Sequence, residues 1–186
     1  EGYIADFQAT IQRVRYAAKP VVVAPHQRVL GGGCEMTMAS VQPVLAAETY
    51  IGLVELGVGL IPAGTGTMRM TAWAAEKAAN RDRPSELQPF VRQAFEHIAM
   101  ADVATSGKMA IALFQYVDGG YISKYDRFHA SRLAYVMTGG ALTGPAEVHE
   151  DYLIELEREV FMSLLGEEKT QARVMHILQH NKPLRN

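Results

Sequence analysis

Two glutamates and a run of glycines are the residues of this sequence whose types and spacing could carry chemistry. Gly31, Gly32 and Gly33 stand directly before a predicted helix, and Glu35 lies in its first turn. Glycines let a backbone approach a ligand closely, and the free N–H groups at a helix start favour negative charge. The run therefore predicts an oxyanion hole, which stabilises a developing negative charge. A tight turn for strand–helix packing is the structural alternative.

The second glutamate, Glu55, stands in an apolar stretch between Val54 and Leu56. A lone carboxyl group in such surroundings has a raised pKa if it is buried. Two carboxyls beside an oxyanion hole could work as general base and general acid, one taking a proton from water and the other giving one to carbon. For Glu35 the alternative is a simple partner of the helix dipole. Spacing alone does not show that the two side chains meet.

The glycines do not fit the motifs that bind nucleotides. Gly57 and Gly59 are followed by Pro62, where the dinucleotide fingerprint requires glycine. Gly59 and Gly64 have the spacing of a phosphate loop, but Thr65 and Gly66 stand where that loop requires Lys and then Ser or Thr. The sequence therefore predicts neither nucleotide site.

The elements that position these residues are predicted to follow an α/β order, and the fold class is α/β. Apolar stripes and glycine or proline breaks predict a helix over 3–18, strands over 21–24 and 44–47, and a close-packed loop over 57–66. The rest is predicted as mainly helical, with helices over about 85–99, 106–113, 125–137, 147–165 and 167–180. We expect a single domain with an α/β part over 1–80 and a helical part over 81–186.

Composition excludes several classes of protein. The 186 residues are 48% hydrophobic and 20% charged, which is typical of a globular domain. A net charge of −2 provides no basic excess for nucleic acid or an anionic membrane, and no apolar run approaches the roughly 18 residues of a membrane span. The only cysteine, Cys34, excludes a disulfide framework and fits a reducing cytoplasm. The chain starts at Glu1 and not at methionine, which predicts that it begins inside a longer product.

Four segments between residues 19 and 70 form a compound pattern. They are KPVVVA at 19–24, LGGGCE at 30–35, GLVELGVGLIP at 52–62 and GTGT at 64–67. This pattern resembles the crotonase (enoyl-CoA hydratase/isomerase) superfamily. The interval from Glu35 to Glu55 (55 − 35 = 20 residues) matches the hydratase members.

The resemblance implies roles residue by residue. The amide of Gly32 would bind the thioester oxygen of an acyl-CoA substrate, and Glu35 and Glu55 would hold the water that adds to the double bond of 2-enoyl-CoA. Isomerase members usually keep only the second glutamate, so the presence of both favours a hydratase. The chain departs from the family at Ala63 and Thr65, which occupy usual glycine positions and affect the shape of the pocket.

A more distant similarity covers the C-terminal part, through SGKMA at 106–110 and NKPLRN at 181–186. It resembles a bacterial β-oxidation branch that fuses a 3-hydroxyacyl-CoA dehydrogenase to a crotonase domain. The resemblance implies a fragment of the ββα-repeat spiral followed by a mainly helical region, without the N-terminal part of the fold. No cofactor is expected beyond the CoA moiety of the substrate, with NAD only in an absent upstream domain. A homo-oligomer is also expected.

Other candidate residues are weaker. His176 and His180 have the spacing of metal ligands on one helix face, but a solvated helix end is preferred. Cys34 is expected to pack and not to act as a nucleophile. The charged run 155–159 is expected to form an exposed helix face or a subunit contact. Four basic residues could meet CoA phosphates, although a solvated helix face is preferred: Arg69, Lys77, Arg81 and Arg83.

Three functions remain open from the sequence. The preferred one is hydration of 2-enoyl-CoA. The second is another enolate reaction on the same fold, such as double-bond isomerisation or thioester hydrolysis. The third is a non-catalytic role in assembly, with the C-terminal helices as subunit contacts.

Overall fold

The computed structural model describes residues 2–79, 86–104, 124–142, 146–184 and 186. Within these ranges the chain has seven α-helices, one short 3-10 helix and two short strands. In chain order they are α1 (Gly2–Arg15), β1 (Arg28–Leu30), α2 (Gly32–Ala39), β2 (Tyr50–Gly52), the 3-10 helix (Glu55–Val58), α3 (Gly66–Ala79), α4 (Gln88–Ala99), α5 (Lys124–Met137), α6 (Glu150–Leu165) and α7 (Glu168–His180).

The two strands pair in parallel, with Arg28 opposite Tyr50 and Leu30 opposite Gly52. Parallel pairing requires a crossover, and α2 lies in the connection. Each strand ends just before a glutamate-bearing segment: β1 runs into the glycine turn and α2, and β2 runs into the 3-10 helix. Since the carboxyl ends of parallel strands share one edge of a sheet, this topology carries both segments to the same edge.

The predicted strands over 21–24 and 44–47 are wrong, since the strands form at Arg28–Leu30 and Tyr50–Gly52. The two predicted segments do run beside each other, and the N–H groups of Val41, Val44 and Ala46 donate to the carbonyls of Val21, Val23 and Pro25 at 2.9–3.1 Å. A regular ladder does not form there. Pro25 and Pro43 lie within this pairing and lack the N–H groups that a ladder requires.

The helical expectation is confirmed for every predicted helix that the structure describes. The first helix ends at Arg15, three residues earlier than predicted, and the later bounds differ from prediction by up to three residues. The helix predicted over 106–113 lies outside the described residues. The apolar stripes face a shared core between α3, α4, α5 and α6, whose fully buried members include Ala74, Ile98, Leu133 and Leu164.

Gln8 of α1 links three distant parts of the chain. Its buried amide group donates to the carbonyl of Ala63 at 2.8 Å and to that of Ile154 at 3.1 Å. Its Oε1 accepts from Nη1 of Arg158 at 3.1 Å. Helices α1 and α6 are therefore fixed against the loop that precedes α3.

Candidate active site

Glu35 lies in the first turn of α2 and is 2% exposed. Its Oε1 atom accepts two backbone hydrogen bonds, from the N–H of Gly64 at 2.7 Å and from the N–H of Gly66 at 2.8 Å. Gly66 is the first residue of α3, so the carboxyl group lies at the positive end of that helix. The Glu35 carboxyl is therefore a partner for the dipole of α3, although Glu35 itself belongs to α2.

Two glycines make this close approach possible. A Cβ atom on Gly66 would lie 2.6 Å from Oε1 of Glu35, and one on Gly64 would lie 2.5 Å from Oε2. Both distances are shorter than any real contact of a Cβ atom. The turn before α3 therefore accepts the Glu35 carboxyl group only because these two positions carry no side chain.

Glu55 is the first residue of the 3-10 helix that follows β2. The residue is half-buried, but its Oε2 atom is shielded from solvent and has no hydrogen-bond partner within the described part of the chain. A buried carboxyl oxygen without a partner is costly, so such an atom is a candidate for a water molecule or a substrate group.

The glycine turn lies between the two glutamates. Gly31 has a φ of +57°, and a Cβ atom there would lie 3.0 Å from Oε1 of Glu55. A Cβ atom on Gly32 would lie 3.9 Å from Oε2 of Glu35 and 3.1 Å from Cζ of Phe7. Gly32 is also the first residue of α2, so its N–H is one that the helix leaves without an intrahelical acceptor. The structure therefore brings together all three predicted site residues.

The surroundings shift the acidity of both carboxyls in the same direction. Burial raises the pKa of Glu35 to about 8, and the charge of Glu55 adds to the shift. Burial also raises the pKa of Glu55 to about 7. Between the two, the Cys34 thiol has its pKa raised to about 12 by burial and by both glutamates. Cys34 is thus a neutral core residue, in agreement with the expected packing role.

Glu157 is a third buried carboxyl, and the expectation of an exposed 155–159 run is wrong at this position. The residue is 0% exposed, whereas Glu155 and Glu159 are exposed. Its Oε1 accepts from the N–H of Thr65 at 2.7 Å and its Oε2 from the N–H of Met68 at 2.9 Å. Burial, together with the charge of Glu35, raises its pKa well above the ordinary value.

A signal for the burial of Glu157 does exist in the sequence. Leu153, Val160 and Leu164 are buried on α6, and Glu157 falls at the helical spacing between Leu153 and Val160. The charged residues beside Glu157 make this segment resemble an exposed helix face. The helix period, applied without regard to residue type, would have placed the carboxyl on the inner face.

Two of the four basic candidates, Arg69 and Lys77, and both histidine candidates lie within the described residues. Arg69 is buried and its Nη1 pairs with Oε1 of Glu150 at 3.0 Å, so the expectation of a solvated residue is wrong there. Lys77 is exposed, as expected, and Arg81 and Arg83 lie outside the described residues. The imidazole rings of His176 and His180 lie 4.6 Å apart. No group of three or more metal-binding side chains occurs in the described part of the chain.

Comparison with known sequences places the chain near two kinds of enzyme. No family model matches it. A Bacillus subtilis protein described as a probable 3-hydroxyacyl-CoA dehydrogenase is 34% identical, over 98% of this chain and 29% of that protein. A probable enoyl-CoA hydratase of Rhizobium meliloti is 39% identical over 72 residues, which are 38% of this chain and 28% of that protein. The chain therefore spans less than a third of the length of either relative.

Solved structures decide the fold. A Streptomyces avermitilis structure described as a putative enoyl-CoA hydratase aligns with a TM-score of 0.59 and 20% identity, over 93% of this chain and 60% of that chain. The chain has the crotonase fold. A carnitinyl-CoA hydratase from Mycobacterium avium gives a TM-score of 0.53 and 21% identity, over 89% of this chain and 62% of that one. The crotonase-like prediction is thus confirmed at the level of the fold.

Among the described helices of this crotonase-fold chain, none combines the length and the apolar character that crossing a membrane requires.

Proposed function

We propose that this chain carries the acid/base part of the active site of an enoyl-CoA hydratase that acts in fatty-acid oxidation. The observation that carries the proposal is the Glu35/Glu55 pair. Both carboxyls adjoin the glycine turn, both have a raised pKa, and Oε2 of Glu55 has no partner among the described residues. The printed name of the Rhizobium meliloti relative and the crotonase fold support the same reaction class.

The pair suits the two proton transfers of hydration. One glutamate takes a proton from water as the water oxygen bonds to C3 of the 2-enoyl-CoA, and the electrons of the double bond move toward the thioester. The resulting enolate then takes a proton at C2 from the other glutamate, which gives 3-hydroxyacyl-CoA. Values of about 8 and about 7 for the pKa of Glu35 and Glu55 favour one shared proton on the pair near neutral pH.

The hydrogen bonds of Glu35 indicate which of its oxygens moves the proton. Oε1 accepts the N–H groups of Gly64 and Gly66, so its lone pairs are engaged. Oε2 is the oxygen that faces the glycine turn near Gly32. We therefore assign proton transfer to Oε2, with Oε1 as the fixed end of the carboxyl group.

The glycine turn would stabilise the enolate. The N–H of Gly32, at the start of α2, is a donor for the thioester oxygen where negative charge develops. The second donor of the oxyanion hole and the adenine pocket for CoA are proposed to come from another part of the polypeptide.

We also propose what kind of polypeptide contains this site. The described α/β part would be a fragment of a ββα-repeat spiral within a single domain of residues 1–186. The parent polypeptide would also contain an NAD-dependent 3-hydroxyacyl-CoA dehydrogenase, in line with the printed name of the Bacillus subtilis relative. We further propose a cytoplasmic homo-oligomer that binds acyl-CoA thioesters and requires no metal.

The test is the loss of enoyl-thioester absorbance with the full-length protein that contains this chain. Glu35→Gln and Glu55→Gln are each expected to lower kcat by about 10²-fold or more, because each removes one proton-transfer group. Glu155→Gln, an exposed change on α6, is the matched control and is expected to keep the wild-type rate. Rates within a few-fold of wild type for both site variants would refute the hydratase, and product analysis would reveal an isomerase by its lack of water uptake.

A further inference from the structure

Two carboxyls accept hydrogen bonds from the 64–68 turn, which consists of the two residues before α3 and the first three residues of that helix. Glu35 accepts the N–H groups of Gly64 and Gly66, and Glu157 accepts those of Thr65 and Met68. Four amides in a stretch of five residues thus donate to two side chains that come from different helices. The amides that reach Glu35 are interleaved with those that reach Glu157, so the geometry of one set depends on that of the other.

The turn needs an external restraint at Thr65. This residue has a φ of +76°, in a region that β-branched residues rarely adopt, and it is fully buried. Its Oγ1 has no hydrogen-bond partner among the described residues. The hydrogen bond from the Thr65 N–H to Glu157 is therefore a contact that offsets the strain of this conformation.

We propose that Glu157 is a positioning residue for Glu35. Glu157 holds the 64–68 turn in the conformation that directs the amides of Gly64 and Gly66 at the Glu35 carboxyl. This inference rests on the proposed function, because Glu35 is the group that transfers the proton. Glu157 accepts hydrogen bonds from backbone amides of the turn, and its side chain also interacts with that of Gln8, which bonds to the carbonyl of Ala63 beside the turn. We expect its main effect on the reaction to pass through the turn.

The fixed position of α6 makes this role possible. Gln8 bonds both to the carbonyl of Ala63, next to the turn, and to the carbonyl of Ile154, one helical turn before Glu157. Arg158 bonds to Gln8 in addition. The helix that carries Glu157 and the turn that receives it are thereby held to the same side chain of α1.

The first test measures rates in the full-length protein. Glu157→Gln keeps the volume of the side chain, but places an NH2 group against one of the two N–H donors. We expect kcat to fall by about 10²-fold while KM for a 2-enoyl-CoA changes by less than about twofold, because misplacement of Glu35 affects the chemical step. Glu155→Gln and Glu159→Gln, which are exposed on the same helix, are expected to change neither value.

A double-mutant cycle separates positioning from an independent role. In a Glu35→Gln background, Glu157→Gln is expected to lower kcat by less than about threefold, since the group that it positions is already lost. A further fall of about 10²-fold in that background would show independent effects and would overturn the proposal.

The second test does not depend on catalysis. Hydrogen exchange at Gly64 and Gly66, followed by mass spectrometry, is expected to be about tenfold faster in Glu157→Gln, although neither amide bonds to Glu157. Peptides from α4 should be unchanged. Unchanged exchange in the turn, or a uniform increase over the whole protein, would overturn the proposal. If the wild type lacks hydratase activity, the proposed function fails, while this measurement still decides the role of Glu157.

A rescue variant covers the case in which Glu157→Gln does not fold. Thr65→Gly removes the unfavourable φ, because glycine adopts positive φ readily. We expect Thr65→Gly/Glu157→Gln to fold and to have about a tenfold higher kcat than Glu157→Gln, or measurable activity where that variant has none. No recovery in the double variant would show that Glu157 does not act by restraining the turn.

Discussion

Glu35 and Glu157 lie in different helices, yet they accept hydrogen bonds from interleaved amides of one turn. The turn stands at the positive end of α3, where two carboxyl groups find both donors and a favourable helix dipole. Burial nevertheless raises the pKa of both groups. The candidate site therefore combines tight positioning with acidities that suit proton transfer.

The pH dependence of catalysis follows from the two carboxyls that are proposed to act. The base must be ionised and the acid protonated, so kcat/KM should fall below about pH 7 and again above about pH 8. We expect a narrow bell-shaped profile whose two limbs belong to the pair, and measurement of kcat/KM across this range tests it. Cys34→Ser should leave both limbs in place, because a thiol with a pKa near 12 stays neutral there. A flat profile between about pH 6 and 9 would contradict the assignment.

The same raised pKa values determine how stability depends on pH. The folded protein binds the Glu35 proton up to about pH 8, whereas the unfolded chain releases it near 4.5. The stability contribution of this group is therefore greatest below the unfolded value and is lost as the pH rises toward the folded one. In urea unfolding between about pH 5 and 8, Glu35→Gln should show a smaller loss of stability than wild type. An equal loss in both proteins would contradict the raised pKa.

Gly66→Ala should disrupt the contact between α2 and α3. The added methyl group would lie 2.6 Å from Oε1 of Glu35 and 2.8 Å from Cβ of Pro62, so the Glu35 carboxyl must move. We expect a loss of about 1–3 kcal/mol in unfolding free energy and about a 10²-fold fall in kcat. Gly57→Ala is the matched control, since a Cβ atom there meets no atom within 4 Å. Equal activity of the two alanine variants would show that the close approach does not occur.

Arg173 anchors α7 from a buried position. It is 2% exposed, its Nη1 donates to Oδ1 of Asp126 at 2.7 Å, and its Nε donates to Oδ1 of Asn186 at 3.0 Å. Asp126 is 24% exposed, so the loss of Arg173 should cost less than the removal of one member of a fully buried pair, about 1–3 kcal/mol for Arg173→Ala.

Arg132→Ala, an exposed arginine on α5, is the control for Arg173→Ala and should cost less than about 1 kcal/mol. Chemical denaturation of both variants measures the two losses. Similar losses would mean that the pair of Arg173 with Asp126 contributes little.

Much of the fold could be predicted because helices have signals in the local sequence. The apolar stripes of α4 to α7 follow the helix period, and proline and glycine mark their ends. The strands are harder to predict, because the short apolar runs at 21–24 and 44–47 pair only partly, whereas the strand Arg28–Leu30 is too short to show a period. Strand formation there depends on the partner β2, which local sequence does not contain.

Part of the candidate site could likewise be predicted from the sequence, and part could not. Glu35, Glu55 and Gly32 could be predicted from their spacing and from the resemblance to crotonases, and the parallel pairing of β1 with β2 explains why they meet. The helix period of α6 indicates the burial of Glu157, but the partners of Glu157 and Arg69 could not be predicted, because they lie 89 or more and 81 residues away in the sequence. A charged residue whose partners lie far along the chain shows no local sign of burial.

The hydrogen bonds of Gln8 also limit the order in which parts of this protein can fold during synthesis. A chain that emerges from the ribosome at roughly 5–20 residues per second exposes α1 before the turn at 64–68, and α6 much later. Gln8 and the turn can satisfy their remaining bonds only after Ile154 and Glu157 have been made. The candidate site is thus among the last parts to reach its final structure. A nascent chain stalled within α5 should contain Glu35 and Glu55 without the hydrogen bonds from Glu157 that hold the turn.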